Sequence, residues 1–312
     1  MISFGPIPSR RLGKSLGINN IPSRKVCSYS CVYCQVGITK KYLVIRENFY
    51  EPHIIYKEVQ SHLNKLSKDD KPDYLTFVSN GEPTLDINLG KSITLLRKIK
   101  IPLAIITNAT MLNYSDVRNA LKKLDWVSLK IDTAEEQIWK TINRPCESLD
   151  FENHLMNLFK FTKEFKGKLV TETMLVNGYN DSSESLRKTA DLISKINPSI
   201  AYISVPTRPP AVFDTVAPNE SVINNAYQIF SGKGINTELI LGFEGCNTGF
   251  TGNILEDIIN ICSVHPIRED TMKRLLKKDN ADDTVLNMLL DRNYIQKIKY
   301  KSKNFYIRKF HI

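Results

Sequence analysis

Three thiols fall within eight residues of this sequence, in the stretch CSYSCVYC, as Cys27, Cys31 and Cys34 with the spacing C-x3-C-x2-C. A closed structural zinc site takes four ligands, and no His or further Cys follows at finger spacing. Iron–sulfur clusters are held by cysteine thiolates, and three protein ligands on four irons leave one iron open to an exogenous chelator. A 4Fe-4S cluster is therefore the favoured reading; zinc completed by a distant ligand, and inert thiols, are the alternatives. The other cysteines, Cys146, Cys246 and Cys262, invite a second cluster as an alternative, but their spacing shows no loop motif, and small buried apolar cysteines are the preferred reading. The histidines His53, His62, His154, His265 and His311 show no ligand spacing and read as surface or core residues.

The elements that must carry this loop are legible downstream. From about residue 74 to 241, β-rich runs (YLTFVS, LAIIT, WVSLKI, LVTETMLV, AYISV, TELIL) alternate with amphipathic stretches at 88–98, 115–123, 150–165, 183–195 and 219–231. Such a series makes parallel strands with right-handed crossovers, in an open sheet or a barrel. Polar residues recur where runs end: Asn80-Gly81-Glu82-Pro83 after the first, Thr107-Asn108 after the second, Lys130 and Asp132 at the third. A (β/α) barrel, full or partial, gathers such positions at one rim, which suits these dispersed sites better than an open doubly wound sheet. Gly81 lets backbone approach a ligand closely, and Glu82 offers an acceptor for an ammonium group; the alternative is a strand-ending turn with a solvated Glu.

After residue 262 the pattern changes. HPIREDTMKRLLKK reads as a helix or two, ADDTVLNMLLDRN as another entered through Asp282 or Asp283, and YIQKIKYKSKNFYIRKF as two strands around Ser302-Lys303-Asn304. Helices followed by a hairpin resemble a winged helix, giving an expected division into a barrel over 1–262 and a small domain over 263–312. The chain carries a formal charge of +10, and residues 263–312 hold 12 Lys/Arg against 6 Asp/Glu. Such an excess suits an acidic partner such as nucleic acid, or simply aids solubility. At 42% hydrophobic and 24% charged, with no low-complexity tract, the composition excludes a disordered or fibrous protein. No apolar run approaches the roughly 20 residues of a membrane span, and MISFGPIPSRRLG lacks a signal-peptide core, so a cytoplasmic protein is expected.

The cysteine spacing, with Tyr33 before the last thiol, resembles that of the radical SAM superfamily. FGPIPSRRLGKSLGIN, CSYSCVYCQVG, SNGEPTL, TNATML, INRPCESLDFE and PTRPP further resemble uncharacterised radical SAM proteins related to wybutosine tRNA-modification enzymes, over roughly residues 3–260. The resemblance implies a partial (β/α)6 TIM-type barrel. It implies that S-adenosylmethionine (SAM) chelates the open iron and is cleaved reductively to a 5′-deoxyadenosyl radical, with flavodoxin or ferredoxin as electron donor. Asn80, Gly81 and Glu82 occupy the place of the family's GGE motif, which contacts the SAM amino group; Asn80 departs from that motif. By analogy Thr107, Asn108, Lys130 and Asp132 touch the SAM ribose or carboxylate, or else serve as caps and turns. Glu172 and Met174 share a strand face; Glu172 is a ligand contact or a barrel-interior residue paired with Lys130.

Arg10, Arg11 and Lys14 precede the cysteine loop and suit phosphate or carboxylate, or a solvated face. Arg144 and Arg208, held beside prolines, could reach an anionic substrate. Three functions compete: a radical SAM enzyme acting on RNA brought by the basic domain, one acting on a small molecule or peptide, and a cluster-bearing DNA-binding regulator. The first is preferred; in the second the winged helix would be a protein-docking module, and SAM-site positions spread along the whole barrel speak against the third.

Overall fold

The computed structural model describes residues 2–22, 24–242, 245, 248–249 and 251–309, so Cys246 and His311 lie outside the described residues. The chain opens with an antiparallel pair, β1 (Ser3–Ser9) and β2 (Gly13–Ile18), followed by two short strands, β3 (Val26–Cys27) and β4 (Lys41–Tyr42), that pair with each other around the cysteine loop. After helix α1 (Pro52–Lys65) the alternation begins: β5 (Tyr74–Phe77), α2 (Leu89–Leu96), β6 (Leu103–Thr107), α3 (Ser115–Leu121), β7 (Trp126–Lys130), α4 (Glu136–Ile142), α5 (Phe151–Glu164), β8 (Lys168–Met174), α6 (Ser183–Ile196), β9 (Ile200–Ser204), α7 (Glu220–Gly232) and β10 (Thr237–Ile240).

One sheet runs in the order β1-β2-β5-β6-β7-β8-β9-β10, parallel throughout except for β1. The six runs read from sequence are β5 to β10, and the five helices expected between them begin and end within two residues of their expected bounds. β2 adds a seventh parallel strand that the (β/α)6 expectation lacks. Its sequence, GKSLGI, and that of β1, SFGPIPS, are poor in β-branched residues and interrupted by Gly and Pro, so strand propensity hides both. Pro is tolerated in β1 because that strand is an edge. The sheet curls into a half-barrel, and beyond β10 Gly249 N–H donates to the Pro6 carbonyl of β1 at 2.7 Å.

The helices bury one face each against this sheet. Leu186, Ala190, Ile193 and Ile196 of α6 show the spacing, packing into a core that also holds Leu75, Ile105, Val127 and Leu129 of the central strands. A separate core contains α8 (Ile254–Val264), β11 (Ile267–Arg268), α9 (Glu269–Lys278), α10 (Asp283–Asp291), β12 (Ile295–Tyr300) and β13 (Lys303–Arg308), with the three strands ordered β11-β13-β12. Asp282 caps α10 by accepting from Thr284 N–H. The hairpin reverses at Lys301 and Ser302, both at positive φ, one residue before the expected turn, because a two-residue hairpin requires that backbone. Residue 262 falls inside α8, whose Ile258, Ile261, Cys262 and Val264 pack among these later elements and against Phe4 of β1. Among the described residues no helix is long and apolar enough to cross a membrane.

Candidate functional site

The cysteine loop is sewn to its surroundings by backbone. Val26 N–H donates to the Asn80 carbonyl at 3.0 Å and Glu82 N–H to the Val26 carbonyl at 3.2 Å, so the NGE segment lies directly on the strand entering Cys27. Only glycine permits this: Gly81 has φ +151°, and a Cβ there would stand 1.6 Å from the Val26 carbonyl oxygen. The close approach foreseen at Gly81 is thus, first of all, an approach to Val26. On the other side, Ser30 N–H donates to the Asn143 carbonyl and Val32 N–H to that of Ile142, anchoring the loop on the end of α4. Beneath it, the Trp139 indole N–H donates to the buried Tyr29 hydroxyl at 2.7 Å.

Each of the first two thiols meets an amide. Asn108 Nδ2 stands 3.7 Å from Cys27 Sγ and Asn143 Nδ2 3.4 Å from Cys31 Sγ. Burial pushes the Cys31 thiol up to about 11 and raises Cys27 as well, so without a ligand both are neutral at pH 7. Buried Lys25 sits among the thiols and donates to the Gly37 carbonyl at 2.7 Å; burial alone would lower its pKa, but the nearby Cys34, Cys27 and Cys31 raise it overall. No group of three His, Cys, Asp or Glu side chains among the described residues is arranged to hold one metal ion. A larger centre can still be spanned from separated thiolates.

Cys27, Cys31 and Cys34 open into a cavity of about 320 Å³, a ligand-sized space. Of the residues singled out in the sequence, Tyr33, Gly81, Glu82, Thr107, Asn108, Lys130 and Glu172 line it; Asn80 and Asp132 do not. The Asn80 side chain is buried with its Oδ1 unpartnered. Glu82 accepts from Thr84 N–H at 3.1 Å, the Thr84 hydroxyl at 2.6 Å, the Thr107 hydroxyl, and Asn108 N–H at 2.7 Å. Burial pushes its pKa up against these hydrogen bonds, and among the described residues no cation pairs with it.

Asp132 does a different task. Its carboxylate accepts from the Tyr33 hydroxyl, from Asn143 Nδ2 at 2.6 Å and from Met174 N–H at 2.8 Å, tying the cysteine loop to α4 and β8. Glu172 likewise has partners within the chain: Arg11, Lys130 Nζ at 3.4 Å and the Ser204 hydroxyl at 3.1 Å. Although burial opposes it, Arg11 and Lys130 hold the Glu172 carboxyl down at about 2. Lys130, 5.2 Å from the Tyr33 ring centroid, also approaches Asp132 at 3.5 Å. Met174, Arg11 and Arg208 line the cavity, whereas Arg10, Lys14 and Arg144 do not. Cys262 is buried in the C-terminal core and bonds the Tyr306 carbonyl, and Cys146 lies beside Ser148.

Sequence reasoning missed Asn143 and His265. Asn143 precedes the Arg144-Pro145 pair, but its partners Cys31 and Asp132 are distant in sequence, so no local pattern marks it. His265 follows α8 and lines the cavity with Val264, whose carbonyl accepts from Gln35 Nε2 at 3.0 Å. Burial, then Arg208 and Arg11, hold the imidazole well below its ordinary pKa, hence neutral.

The profile of the Radical SAM superfamily matches residues 21–193. A UPF0026 protein of Methanocaldococcus jannaschii is 45% identical over 98% of this chain and 96% of its own length. The dual-specificity RNA methyltransferase RlmN of Lawsonia intracellularis is 24% identical over 75% of this chain and 66% of its own. Among solved structures, a radical SAM methyltransferase from Sphaerobacter thermophilus superposes with a TM-score of 0.54 at 12% identity, over 74% of this chain and 67% of its own, a likeness of fold.

Proposed function

The chain belongs to the radical SAM superfamily and is an enzyme whose cofactors are a 4Fe-4S cluster and SAM; on that premise we propose that Cys27, Cys31 and Cys34 ligate the cluster and that Glu82 receives the SAM ammonium, for the modification of an RNA substrate. One observation carries the cofactor assignment: the three thiols open into the same cavity as a buried carboxylate that has hydrogen bonds but no cation. The donor set fits the groups, since thiolates suit iron and an uncompensated buried carboxylate suits an arriving cation. When bound, these cofactors supply a one-electron cleavage of SAM to a 5′-deoxyadenosyl radical.

The residues of the chain hold and orient. Thr84, Thr107 and Asn108 fix both Glu82 oxygens, so the acceptor needs no reorganisation when the ammonium arrives. Asn108 and Asn143 aim N–H donors at two sulfurs, a contact that stabilises thiolate charge and shifts cluster potential. Lys130 and Arg11, already bound by Glu172, form the wall that faces the remaining space and present cationic edges to an anionic substrate or to the SAM carboxylate.

RNA as substrate is supported by the C-terminal unit and by likeness to an RNA methyltransferase. The order helix, strand, two helices and hairpin over α8 to β13 resembles that of a winged helix and supports that reading, with α8 counted in this unit rather than in the barrel. Residues 295–310 carry six Lys/Arg and no acid. Lys297, Lys299, Lys301 and Lys303 are all exposed; Lys301 donates to the Pro206 carbonyl and Lys297 to Glu269, whereas among the described residues Lys299 and Lys303 make no ion pair.

Anaerobic reconstitution with iron and sulfide should give 4Fe-4S absorbance with full iron content, and dithionite with SAM should then release 5′-deoxyadenosine. Absence of the product from a protein with a full cluster would overturn the cofactor assignment. Transfer of deuterium from labelled tRNA to 5′-deoxyadenosine tests the substrate. Transfer from a small molecule alone would replace RNA with that compound.

A further inference from the structure

The surface over the cysteine loop, on the side away from the cavity, combines exposed apolar residues with cations. Ile38, Tyr42 and Ile45 are 58%, 45% and 69% exposed. Large side chains are seldom left in the open together on a soluble protein without a partner. Arg24, Lys40 and Arg144 are exposed around them. Lys41 adds a fourth cation but is paired with Glu47 at 2.7 Å, and Glu51, Glu147 and Asp150 are exposed acids nearby in sequence. Residues 24–45, which form the loop itself, hold Arg24, Lys25, Lys40 and Lys41 and no acid, so the loop is cationic around its exposed apolar side chains.

These residues ride on the cysteine loop itself. Tyr42 is the register partner of Cys27, Leu43 N–H donates to the Cys27 carbonyl at 3.2 Å, and Gly37 N–H donates to the Cys34 carbonyl at 3.1 Å. Lys40 N–H donates to the Lys25 carbonyl at 3.2 Å, and the Tyr42 hydroxyl reaches the Arg144 carbonyl at 3.5 Å, which places Arg24, Lys40, Tyr42 and Arg144 in one patch. Paired strands lie about 5 Å apart, so a single layer of backbone separates this patch from two of the three candidate ligands.

We propose that this patch docks a small acidic one-electron carrier protein, the reductant that a radical SAM enzyme needs, so that electrons enter through residues 37–45 while SAM and substrate occupy the cavity on the opposite side. The assignment rests on Cys27, Cys31 and Cys34 as cluster ligands. In the transfer, a flavin carrier would pass from the anionic hydroquinone to the neutral semiquinone, losing one electron and no proton, and the cluster would gain that electron, going from 2+ to 1+. A patch of this kind suits a transient encounter, because redox partners bury small interfaces and complementary charge accelerates association more than it strengthens binding.

The probe is an acidic flavodoxin, used in two ways. Titrated in its oxidised form against the full chain without cluster, it should bind weakly and with salt sensitivity. The double variant R24E/K40E should weaken that binding on the order of tenfold, and Ile45→Ser should weaken it by a smaller factor at all salt concentrations. In the cluster-loaded protein, reduction by flavodoxin hydroquinone should slow by a similar factor in R24E/K40E, while reduction by dithionite and the cluster absorbance stay unchanged. Unchanged flavodoxin binding and unchanged reduction would overturn the proposal, as would an equal slowing with dithionite. Loss of tRNA binding with flavodoxin binding intact would also overturn it, and would give the patch to RNA. A wild-type protein that takes up no cluster but binds flavodoxin through these residues would sink the ligand assignment and not the patch.

Discussion

The two charged walls of the cavity differ in how far they are complete without a ligand. At β8, Glu172 has Arg11, Lys130 and Ser204 around it and is ionised far below the usual carboxylate range. In the loop after β5, Glu82 accepts only from neutral donors among the described residues, and burial pushes its pKa up. Both are buried glutamates, Glu172 within β8 and Glu82 in the loop that follows β5, yet one has its counter-charges from the fold and the other, on the proposed reading, receives a cation. The same holds for the thiols beside Glu82, which burial keeps protonated until something displaces the proton. On the proposed reading one wall is scaffold and the other is binding site, a distinction that burial alone would not have drawn.

The largest effects should come from the wall that waits. Replacing Cys27, Cys31 or Cys34 by Ala should abolish the 4Fe-4S absorbance and 5′-deoxyadenosine release while leaving the circular dichroism of the folded chain intact. A variant with normal iron content would break the comparison at its base. Gly81→Ala should come next. Its Cβ would collide with backbone, not with a side chain that can turn away, so the Val26–Glu82 pairing must open. Loss of cluster uptake with the half-barrel retained is expected, read from iron content and thermal unfolding.

What could be read from the sequence follows locality. The cysteines and the NGE segment are contiguous motifs, and β5 to β10 announce themselves because each is a short β-rich run between amphipathic helices. The roles of Asp132 and Asn143 were hidden, since they exist only where chain segments meet: Asp132 joins Tyr33, 99 residues earlier, to Met174. Glu172 admitted two readings because strand alternation says that it points inward but not whom it meets. His265 was indistinguishable from a core histidine, for nothing local shows that α8 ends at the cavity. β1 and β2 were masked by Gly and Pro, and α1 by a PHIIYKEVQ stretch that was not among the expected helices.

Of smaller size are two substitutions that set the glutamates against each other. Glu172→Gln removes the buried carboxylate between Arg11 and Lys130, leaving Asp132 at 3.5 Å beside Lys130, and should destabilise the fold by about 3 kcal/mol, the usual scale for removing one partner of a buried pair. The pH dependence should agree. Because the folded pKa is depressed, the stabilisation is fully present above the unfolded value of about 4.3, and it is lost as pH falls toward about 2. Thermal melts of wild type and Glu172→Gln should therefore converge over that acid range and differ at pH 7. Glu82→Gln should cost less stability, about 1 kcal/mol, but should weaken SAM binding by tenfold or more, as expected for a lost charge-assisted bond. Equal losses in both variants would erase the distinction between the walls.

The smallest expected effect lies farthest from the cavity. Lys299→Ala and Lys303→Ala alter exposed cations of the hairpin, so each should leave stability within about 0.5 kcal/mol. If the hairpin touches RNA phosphates, each should weaken tRNA binding similarly across sequences and lower the salt slope by about 1. SAM cleavage without RNA should be untouched, because neither residue lines the cavity. Lys301→Ala supplies the contrast: its ammonium donates to the Pro206 carbonyl at 3.1 Å beside the cavity wall, so it holds the hairpin against the barrel. A salt slope lowered by Lys299→Ala and Lys303→Ala but not by Lys301→Ala would assign the first two cations to recruitment and the one bound to Pro206 to docking of the two units.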